Sequence, residues 1–386
     1  MLPVKRVLFL CPDFEYNGPG YNALTLARAF RPLGVECLTM APRGGEREGA
    51  FRSSDLALAV DPHLGGRVFG RQSRRQVQAF APQVLHAQDP TVARRGLSLA
   101  RRLSVPLVVT INRPPAADEK GAWNEKGAAY IAVSDAVQMH TIQARLVARE
   151  AITVIHNGVD LSNYPLPEER SAVWGPTNRR GGRRSAIPVV GALGTLVPHK
   201  GQRVFLQAAA LLHGKRPAVE YVIIGRGPDL VPLRELAVSL GISKRVTFSS
   251  GALSTTAYAV KRPSVQAEAV FLREFDIFVE PSTQEGLGLS VLQAMAWERP
   301  VVASGVGGLY DLVEDGVTGI LVPKENPEAF AQAIEGLLAD PARAAEMGAR
   351  GRERIAREFN IKDVAQGHLS LYQRLGQGLP VGGGEP

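Results

Sequence analysis

Residues 276–304, DIFVEPSTQEGLGLSVLQAMAWERPVVAS, indicate the fold class of this chain most clearly. Short, continuous apolar runs at the two ends of this stretch are typical of strands buried on both faces of a parallel sheet. A helix-length segment joins them, so the stretch is a strand–helix–strand unit. The loop EGLGL (285–289) turns at two glycines and leaves amide N–H groups at the positive end of the helix. This arrangement favours an anion site with the carboxylate of Glu285 beside it; the alternative is a plain connection with an exposed Glu.

The same unit recurs on both sides of this stretch. Apolar runs such as VLFLC (7–11) and PLVVTI (106–111) alternate with helical segments in the first half of the chain. A Pro-, Arg- and Gly-rich segment then interrupts the pattern, and a second series of strands and helices follows it. We therefore predict an α/β protein with two Rossmann-like, doubly wound parallel-sheet domains facing across a cleft. The predicted ranges are 1–165, a linker at 166–186, 187–362, and a helix that crosses back with a tail at 363–386.

Composition narrows the classes of protein. The chain has 386 residues, 45% of them apolar, and no apolar run long enough to cross a membrane. The N-terminal run after Lys5 and Arg6 is too short for a secretory signal and is typical of a first buried strand. Cys11 and Cys37 lie in apolar, strand-like contexts, which predicts buried free thiols in a cytoplasmic protein.

The charge is unevenly distributed. Residues 1–170 hold 21 Lys and Arg against 16 Asp and Glu, within a net charge of +8. A basic half can meet anionic lipid, a phosphorylated acceptor or nucleic acid, but no nucleic-acid-binding module is recognisable. We expect no nucleic-acid partner, and helix 68–81 is the candidate for a peripheral membrane contact at the inner face. The alternative is a solvated basic helix face.

Further glycine-containing turns follow other predicted strands. GTLVPHKG (194–201) places Gly194 at a strand end and Lys200 just before a helix, where its ammonium could reach a phosphate oxygen. A solvated lysine at a helix start is the alternative, and the helix dipole slightly disfavours a cation there. GRGP (225–228) and NGPG (17–20) are weaker examples of the same turn.

Taken in order, these motifs closely resemble the retaining glycosyltransferases of family 4, which have the GT-B fold. The resemblance spans nearly the whole chain, and its last motif is the most specific. The stretches that carry it are VLFLCPDFEYNGPGYNALTLARAFRPLGVE (7–36), AVSDAV (132–137), VIHNGVDLSNY (154–164), GTLVPHKG (194–201), VIIGRGPDLVPLRELAVSLGISKRVTF (222–248) and EPSTQEGLGLSVLQAMAWERPVVASGVGG (280–308).

The resemblance implies a role for each matching residue. Glu285 matches the first glutamate of the family's Glu–x7–Glu motif and would contact the donor sugar. Lys200 matches the lysine that stabilises the leaving diphosphate, with Asn112 as a third candidate catalytic residue. The remaining donor-binding candidates are Gly18, Gly20, Gly194, Thr195, Gly225, Arg226, Gly286, Leu287, Gly288, Leu289 and Gln293.

Three positions depart from the family pattern. Gln293 stands where the family has the second glutamate of the motif, and its amide can still bond ribose hydroxyls. Thr195 replaces the family's phosphate-neutralising arginine, for which Arg226 is a candidate substitute. Asn112 stands where the family often has a histidine after the PLVVT strand, and it can still bond a sugar.

The resulting expectation is a retaining transferase. It would move a sugar from a UDP- or GDP-sugar to a glycan, lipid-linked or small-molecule acceptor, as in cell-envelope polysaccharide synthesis. No cofactor or metal is expected, because Lys200 and backbone amides supply the positive charge and the chain has no Asp-x-Asp motif. The alternative is a weak or inactive pseudo-transferase that serves as a binding or scaffold subunit.

Overall fold

The computed structural model describes residues 3–13, 18–41, 57–61, 70–115, 127–166, 179–180, 183–184, 187–216, 218–249 and 269–381. The chain divides into two compact units. The first comprises Met1–Asp160 together with Phe359–Pro386, and the second comprises Leu161–Glu358. The predicted linker, 166–186, lies largely outside the described residues, so its limits stay a prediction.

The first unit is built on a seven-stranded parallel sheet. Its strands are β1 (Arg6–Leu10), β2 (Glu36–Ala41), β3 (Ala57–Val60), β4 (Val84–Ala87), β5 (Leu107–Ile111), β6 (Ala128–Ala132) and β7 (Ile152–Val154). Their order across the sheet is β3-β2-β1-β4-β5-β6-β7. Its helices are α1 (Gly18–Phe30), α2 (Arg71–Phe80), α3 (Ala93–Leu103), α4 (Asp135–Gln143) and the C-terminal α12 (Ile361–Gly376).

The end of the chain returns to this first sheet. Val159 pairs with the C-terminal segment, since its N–H donates to the Phe359 carbonyl and its carbonyl accepts from the Ile361 N–H. Helix α12 then buries Tyr372, whose ring meets Phe30 of α1 edge to face. The Tyr372 hydroxyl lies 2.6 Å from Nδ1 of His86, in β4. A buried polar contact therefore anchors the last helix to the sheet.

The second unit is built on a six-stranded parallel sheet with a short hairpin. Its elements are β8 (Arg179–Arg180), β9 (Arg183–Arg184), β10 (Val189–Leu193), α5 (Gln202–Lys215), β11 (Glu220–Ile224), α6 (Leu230–Ser239), β12 (Val246–Ser249), α7 (Ala269–Leu272), β13 (Ile277–Glu280), α8 (Leu289–Ala296), β14 (Val301–Ser304), α9 (Leu309–Leu312), β15 (Gly319–Val322), α10 (Pro327–Ala339) and α11 (Pro341–Glu358). The sheet order is β12-β11-β10-β13-β14-β15.

Both sheets are doubly wound. Their strands are added first to one side and then to the other side of the first strand, which is β1 in one sheet and β10 in the other. All neighbouring strands of the two sheets run parallel. The central strands β1, β10 and β13 are almost wholly buried, as their continuous apolar runs require. The predicted Rossmann-like sheets are therefore confirmed. Strand β3, which the predicted series leaves out, adds an edge to the first sheet.

Two further sequence expectations concern single features. Cys11 and Cys37 are buried and free, as predicted, and burial raises the pKa of both thiols. Among the described helices, none is both long and apolar enough to cross a membrane.

Candidate active site

The candidate site of the second unit lies where its sheet order reverses. Strands β10 and β13 are adjacent in the sheet, although β11 and β12 lie between them in sequence. Ligands of open parallel sheets bind beyond the strand C-termini at such a switch point. The loops that follow β10 and β13 carry Lys200 and Glu285, so the topology brings the two predicted residues to one edge.

Close backbone contacts join these two loops. Lys200 ends a 3₁₀ turn, Pro198–Lys200, and Gly201 follows it with a φ of +67°. A Cβ at Gly201 would lie 1.9 Å from the Pro281 carbonyl oxygen. The Thr283 N–H also donates to the His199 carbonyl, at 2.8 Å. These contacts hold the Lys200 turn against the loop that leads to Glu285.

Lys200 and Glu285 form an ion pair across the two loops. Their side chains are 19% and 13% exposed, so the pair is only partly screened by solvent. The Glu285 carboxylate also accepts from its neighbour's N–H, that of Gly286, at 3.1 Å. Burial alone lowers the pKa of Lys200, but its interaction with Glu285, through charge and a hydrogen bond, opposes this effect, and the net pKa is raised. Lys200 is therefore a firmly protonated cation.

A second, deeper carboxyl group lies below this pair. Glu280 ends β13 and is 2% exposed. Its Oε1 lies 2.6 Å from the Ser282 hydroxyl oxygen, and its Oε2 lies 2.5 Å from the Ser290 hydroxyl oxygen. The Ser282 Oγ is also 3.3 Å from Oε2 of Glu285. Burial raises the pKa of Glu280, and the charge of Glu285 adds to this effect, while Lys200 and the two serine hydroxyls oppose it.

The glycine loop leads from Glu285 directly into α8. Leu287 is buried, and Gly288 has a φ of +105° at the residue that precedes the helix. Such a conformation favours glycine. The Gly308 N–H donates to the Glu285 carbonyl, which fastens the loop to the segment after β14. Leu289 then begins α8, so Gly286 to Leu289 lie at the positive end of that helix, as an anion site requires.

The other predicted donor residues of this unit lie on neighbouring loops. The Gly194 N–H donates to the Ile224 carbonyl at 2.9 Å, and Gly225 is buried beside it. Thr195 and Arg226 are exposed, and the Arg226 carbonyl accepts from the Leu196 N–H. These residues share one edge with Lys200. Gln293 lies one turn further along α8 and is half-buried.

One predicted residue of the first unit, Asn112, belongs to an amide cluster at the end of its own sheet. The Asn22 amide donates to Asn112 at 3.2 Å and to Asn157 at 2.6 Å. Asn112, just after β5, donates to the Gln88 carbonyl at 2.6 Å. The Gln88 side chain is fully buried and has no hydrogen-bond partner among the described residues. The cluster therefore contains an unused donor and acceptor.

The glycines of the first unit, Gly18 and Gly20, begin helix α1. They follow β1, which lies beside β4 at the point where the order of the first sheet reverses. The rest of the predicted Gly-rich loop, residues 14–17, lies outside the described residues.

Sequence reasoning did not single out Glu280, Ser282, Ser290 or the amides of Asn22 and Gln88. For Glu280 a signal was available. It is the one charged residue in the strand IFVE (277–280), at the strand's C-terminal end. A carboxyl group in that place is costly unless it is compensated, which marks it as a residue with a specific partner.

Comparison with known proteins identifies similar glycosyltransferases. The model described as Glycosyltransferase Family 4 matches residues 16–163, and that described as Glycosyl transferases group 1 matches residues 187–340. An alpha-maltose-1-phosphate synthase of Mycolicibacterium smegmatis is 28% identical over 400 residues, spanning 94% of this chain and 97% of that protein. A GDP-mannose-dependent alpha-(1-6)-phosphatidylinositol monomannoside mannosyltransferase of the same organism is 38% identical over 206 residues, 50% of this chain and 49% of its own length.

A solved structure shares the fold over its full length. Anabaena Alr3699/HepE in complex with UDP-glucose aligns with a TM-score of 0.78 and 20% identity, over 96% of this chain and 99% of that one. The two parallel sheets and the similar proteins identify a GT-B glycosyltransferase. Since the two family models together match well over half of the sequence, the chain belongs to glycosyltransferase family 4.

Proposed function

We propose that this enzyme transfers a sugar, with retention of anomeric configuration, from a nucleoside diphosphate sugar to an acceptor hydroxyl. The observation that carries the proposal is the Lys200–Glu285 ion pair at the switch point of the second sheet. It sets a firmly protonated cation and a carboxylate side by side at the end of a helix. The cation and the helix N-terminus can bind a diphosphate, and the carboxylate can accept a hydrogen bond from a sugar hydroxyl.

The chemistry follows from where charge develops. The bond between the sugar C1 and the diphosphate oxygen breaks, and negative charge builds on that oxygen. Lys200 and the amides of Gly286 to Leu289 stabilise the charge before it forms. The acceptor oxygen bonds to C1 on the same face, and its proton passes to the departing phosphate oxygen. Because Lys200 and the amides supply the positive charge, the proposed reaction needs no metal ion.

Two relatives support a uridine or guanosine donor. One is GDP-mannose-dependent, and the other is a structure in complex with UDP-glucose. In this proposal Gln293 bonds the ribose hydroxyls, and Gly194, Thr195, Gly225 and Arg226 line the diphosphate. Glu285 bonds the hydroxyls of the donor sugar.

We assign the acceptor to the first unit, with Gly18 and Gly20 in the loop that contacts the donor. The amides of Asn112 and Gln88 suit a hydroxyl-bearing acceptor such as a glycan, a lipid-linked sugar or a small polyol, because an amide both donates and accepts. The proposed setting is the synthesis of a cell-envelope glycan in the cytoplasm.

The test begins with thermal shift against UDP, GDP, UDP-glucose and GDP-mannose. A nucleotide at 100 times its Kd stabilises the native state by about 2.7 kcal/mol, so the preferred base stands out. Release of UDP or GDP is then measured for the wild type and Glu285→Ala. We expect the variant to lose at least about 100-fold in kcat. The matched control is Glu335→Ala, which breaks the exposed Lys215–Glu335 pair and is expected to retain full activity.

Two results would oppose this proposal in different ways. Full activity in Glu285→Ala would remove that residue from the reaction. Nucleotide binding without turnover of any donor, in the presence of candidate acceptors, would favour the alternative of a pseudo-transferase that serves as a binding subunit. Unchanged turnover after removal of divalent cations by EDTA would support the metal-independent reaction, and loss of turnover would contradict it.

A peripheral membrane contact is a further part of the proposal. Helix α2 carries Arg71, Arg74 and Arg75 on its exposed side and has no acidic residue. Each such cation near an anionic bilayer adds about 1 kcal/mol of attraction. Co-sedimentation with vesicles of phosphatidylcholine, with and without phosphatidylglycerol, tests it. Equal binding to both vesicles would reject the contact.

A further inference from the structure

Glu280 has no role in the reaction as proposed, yet its position is energetically costly. It follows the buried residues Ile277, Phe278 and Val279 and is itself 2% exposed. An ionised carboxylate at such a depth costs several kcal/mol unless it is compensated. Because it is buried, Glu280 cannot be a group that touches substrate, so any role acts through its neighbours.

The hydroxyl of Ser282 lies between two carboxyl groups but has only one proton to donate. Ser282 Oγ lies 2.6 Å from Oε1 of Glu280 and 3.3 Å from Oε2 of Glu285. A hydroxyl has one proton, so it can serve only one of two ionised carboxylates. If Glu280 carries a proton on Oε1, that proton is donated to Ser282 Oγ. The Ser282 proton is then free for Glu285. The contacts of Glu280 with Ser282, of Ser282 with Glu285 and of Ser290 with Glu280 then have one proton each.

We propose that Glu280 is a positioning residue for glycosyl transfer: held as the neutral acid, it donates to Ser282, which in turn donates to Glu285 and fixes that carboxylate for the donor sugar. Its second oxygen accepts from the Ser290 hydroxyl at 2.5 Å and so ties the first turn of α8 to the end of β13. The positioning role rests on the proposed function; the protonation of Glu280 does not.

Burial of Glu280, rather than the charges around it, favours the neutral form. The charged groups that face it in the described structure are Lys200 and Glu285. Burial is the largest effect and raises the pKa of Glu280, and the charge of Glu285 adds to it. The charge of Lys200 and the hydrogen bonds to Ser282 and Ser290 oppose that rise without cancelling it. A neutral Glu280 leaves Lys200 and Glu285 as a pair with no net charge. An ionised Glu280 would hold the ammonium more strongly and would repel the diphosphate that Lys200 is proposed to receive.

The neutral form can be tested without a ligand, by comparing wild type with Glu280→Gln. The amide mimics the neutral acid, since its N–H can donate to Ser282 and its carbonyl can accept from Ser290. A carboxyl group whose pKa is raised in the folded state stabilises that state fully below its unfolded value of 4.5. This stabilisation is lost as the pH rises through the folded pKa.

We therefore expect a stability difference that depends on pH. Between pH 4.5 and the folded pKa, the unfolding equilibrium constant of wild type, divided by that of Glu280→Gln, should increase by about tenfold per pH unit. Urea unfolding followed from pH 4.5 to pH 8 measures this ratio. The opposite slope, or no slope, means that Glu280 is ionised, and the proposal is then wrong.

The positioning role is tested by kinetics with UDP-glucose or GDP-mannose, whichever the wild type turns over. We expect Glu280→Gln to keep kcat within about threefold of wild type, because it preserves the hydrogen bonds. Ser282→Ala should lower kcat by about 10- to 100-fold with little change in the donor KM, because Glu285 is misplaced. Ser239→Ala, an exposed serine on α6, is the control.

The outcomes separate this inference from the function on which it rests. Equal losses of kcat in Glu280→Gln and Ser282→Ala would reject the proposal that a neutral Glu280 acts on Glu285 through Ser282. Full activity in Ser282→Ala would reject it as well. If the wild type turns over no nucleotide sugar, the proposed function fails and the positioning role fails with it. The urea experiment still decides whether Glu280 is protonated.

Discussion

A Cβ at Gly201 would lie 1.9 Å from the carbonyl oxygen of Pro281, although the two residues are 80 positions apart in sequence. This approach joins the turn of Lys200 to the loop of Glu285. No side chain fits between the two backbones, so the geometry of the ion pair depends on a residue that takes no part in the chemistry. The two loops therefore act as one rigid support for the site.

Gly201→Ala tests this dependence. The residue has a φ of +67°, where an alanine costs roughly 1–2 kcal/mol, and the contact with Pro281 adds to that cost. We expect lower stability in urea and a weakened affinity for UDP or GDP. The control is Gly214→Ala in α5. An added Cβ there would have no atom within 4 Å apart from the backbone of its own helix, and alanine favours the helix. Equal stability of the two variants would contradict the role of the close approach.

Lys200→Met tests the cation. It removes the charge that is proposed to stabilise the leaving diphosphate, and a loss of about 10²- to 10³-fold in kcat is expected. The matched variant is Lys215→Met on α5, where the lysine pairs with Glu335 at the surface. We expect Lys215→Met to change kcat by less than about twofold, since exposed pairs contribute little. Release of UDP or GDP measures both, and a Lys200→Met enzyme with normal kcat would exclude the proposed role.

The sequence predicts most of this fold because strands buried on both faces leave continuous apolar runs. The runs 7–11 and 106–111 correspond to β1 (Arg6–Leu10) and β5 (Leu107–Ile111), each within one residue. The edge strand β3 is missing from the predicted series. It has only four residues and is paired on one side, so its pattern carries little information.

The site is less predictable than the fold, because its contacts join distant parts of the chain. Lys200 and Glu285 are each marked by a local motif, yet 85 positions separate them and no local pattern indicates their pairing. The helix dipole counts against a lysine at a helix start. In the fold that lysine precedes Gly201 and is compensated by Glu285. In the sequence, Glu280 is only a polar residue at the end of a strand. Its contacts with Ser282 and Ser290 are visible only in the structure.

Gln293→Glu tests the departure from the family's Glu–x7–Glu pattern. The residue is half-buried on α8, one turn after Leu289. A carboxylate accepts hydrogen bonds from ribose hydroxyls more strongly than an amide does, by about 1 kcal/mol, or roughly fivefold in affinity. We expect a lower Kd for UDP or GDP by isothermal titration and an unchanged kcat. The companion variant Gln293→Ala should weaken binding; if neither variant changes the Kd, Gln293 does not contact the nucleotide.

Low pH should loosen the last helix. Nδ1 and Nε2 of His86 lie 2.6 Å and 2.7 Å from the hydroxyls of Tyr372 and Thr110, and its ring is 5.6 Å from that of His368 on α12. Burial lowers the pKa of both histidines, that of His368 to about 4. A lowered histidine pKa gives stability above the unfolded value of 6.5, and this stability is lost as the pH falls toward 4.

At pH 5 the loss from His368 alone is about 2 kcal/mol, from its pKa values in the two states. Hydrogen exchange of the α12 amides, corrected for the intrinsic pH dependence of exchange, should therefore show weaker protection at pH 5 than at pH 7. In His368→Gln the difference between the two pH values should shrink, because the variant has no proton to bind at that position. His140→Gln, an exposed histidine on α4, is the control and should keep the wild-type difference. Protection that is independent of pH in the wild type would show that the buried histidines do not govern the docking of α12.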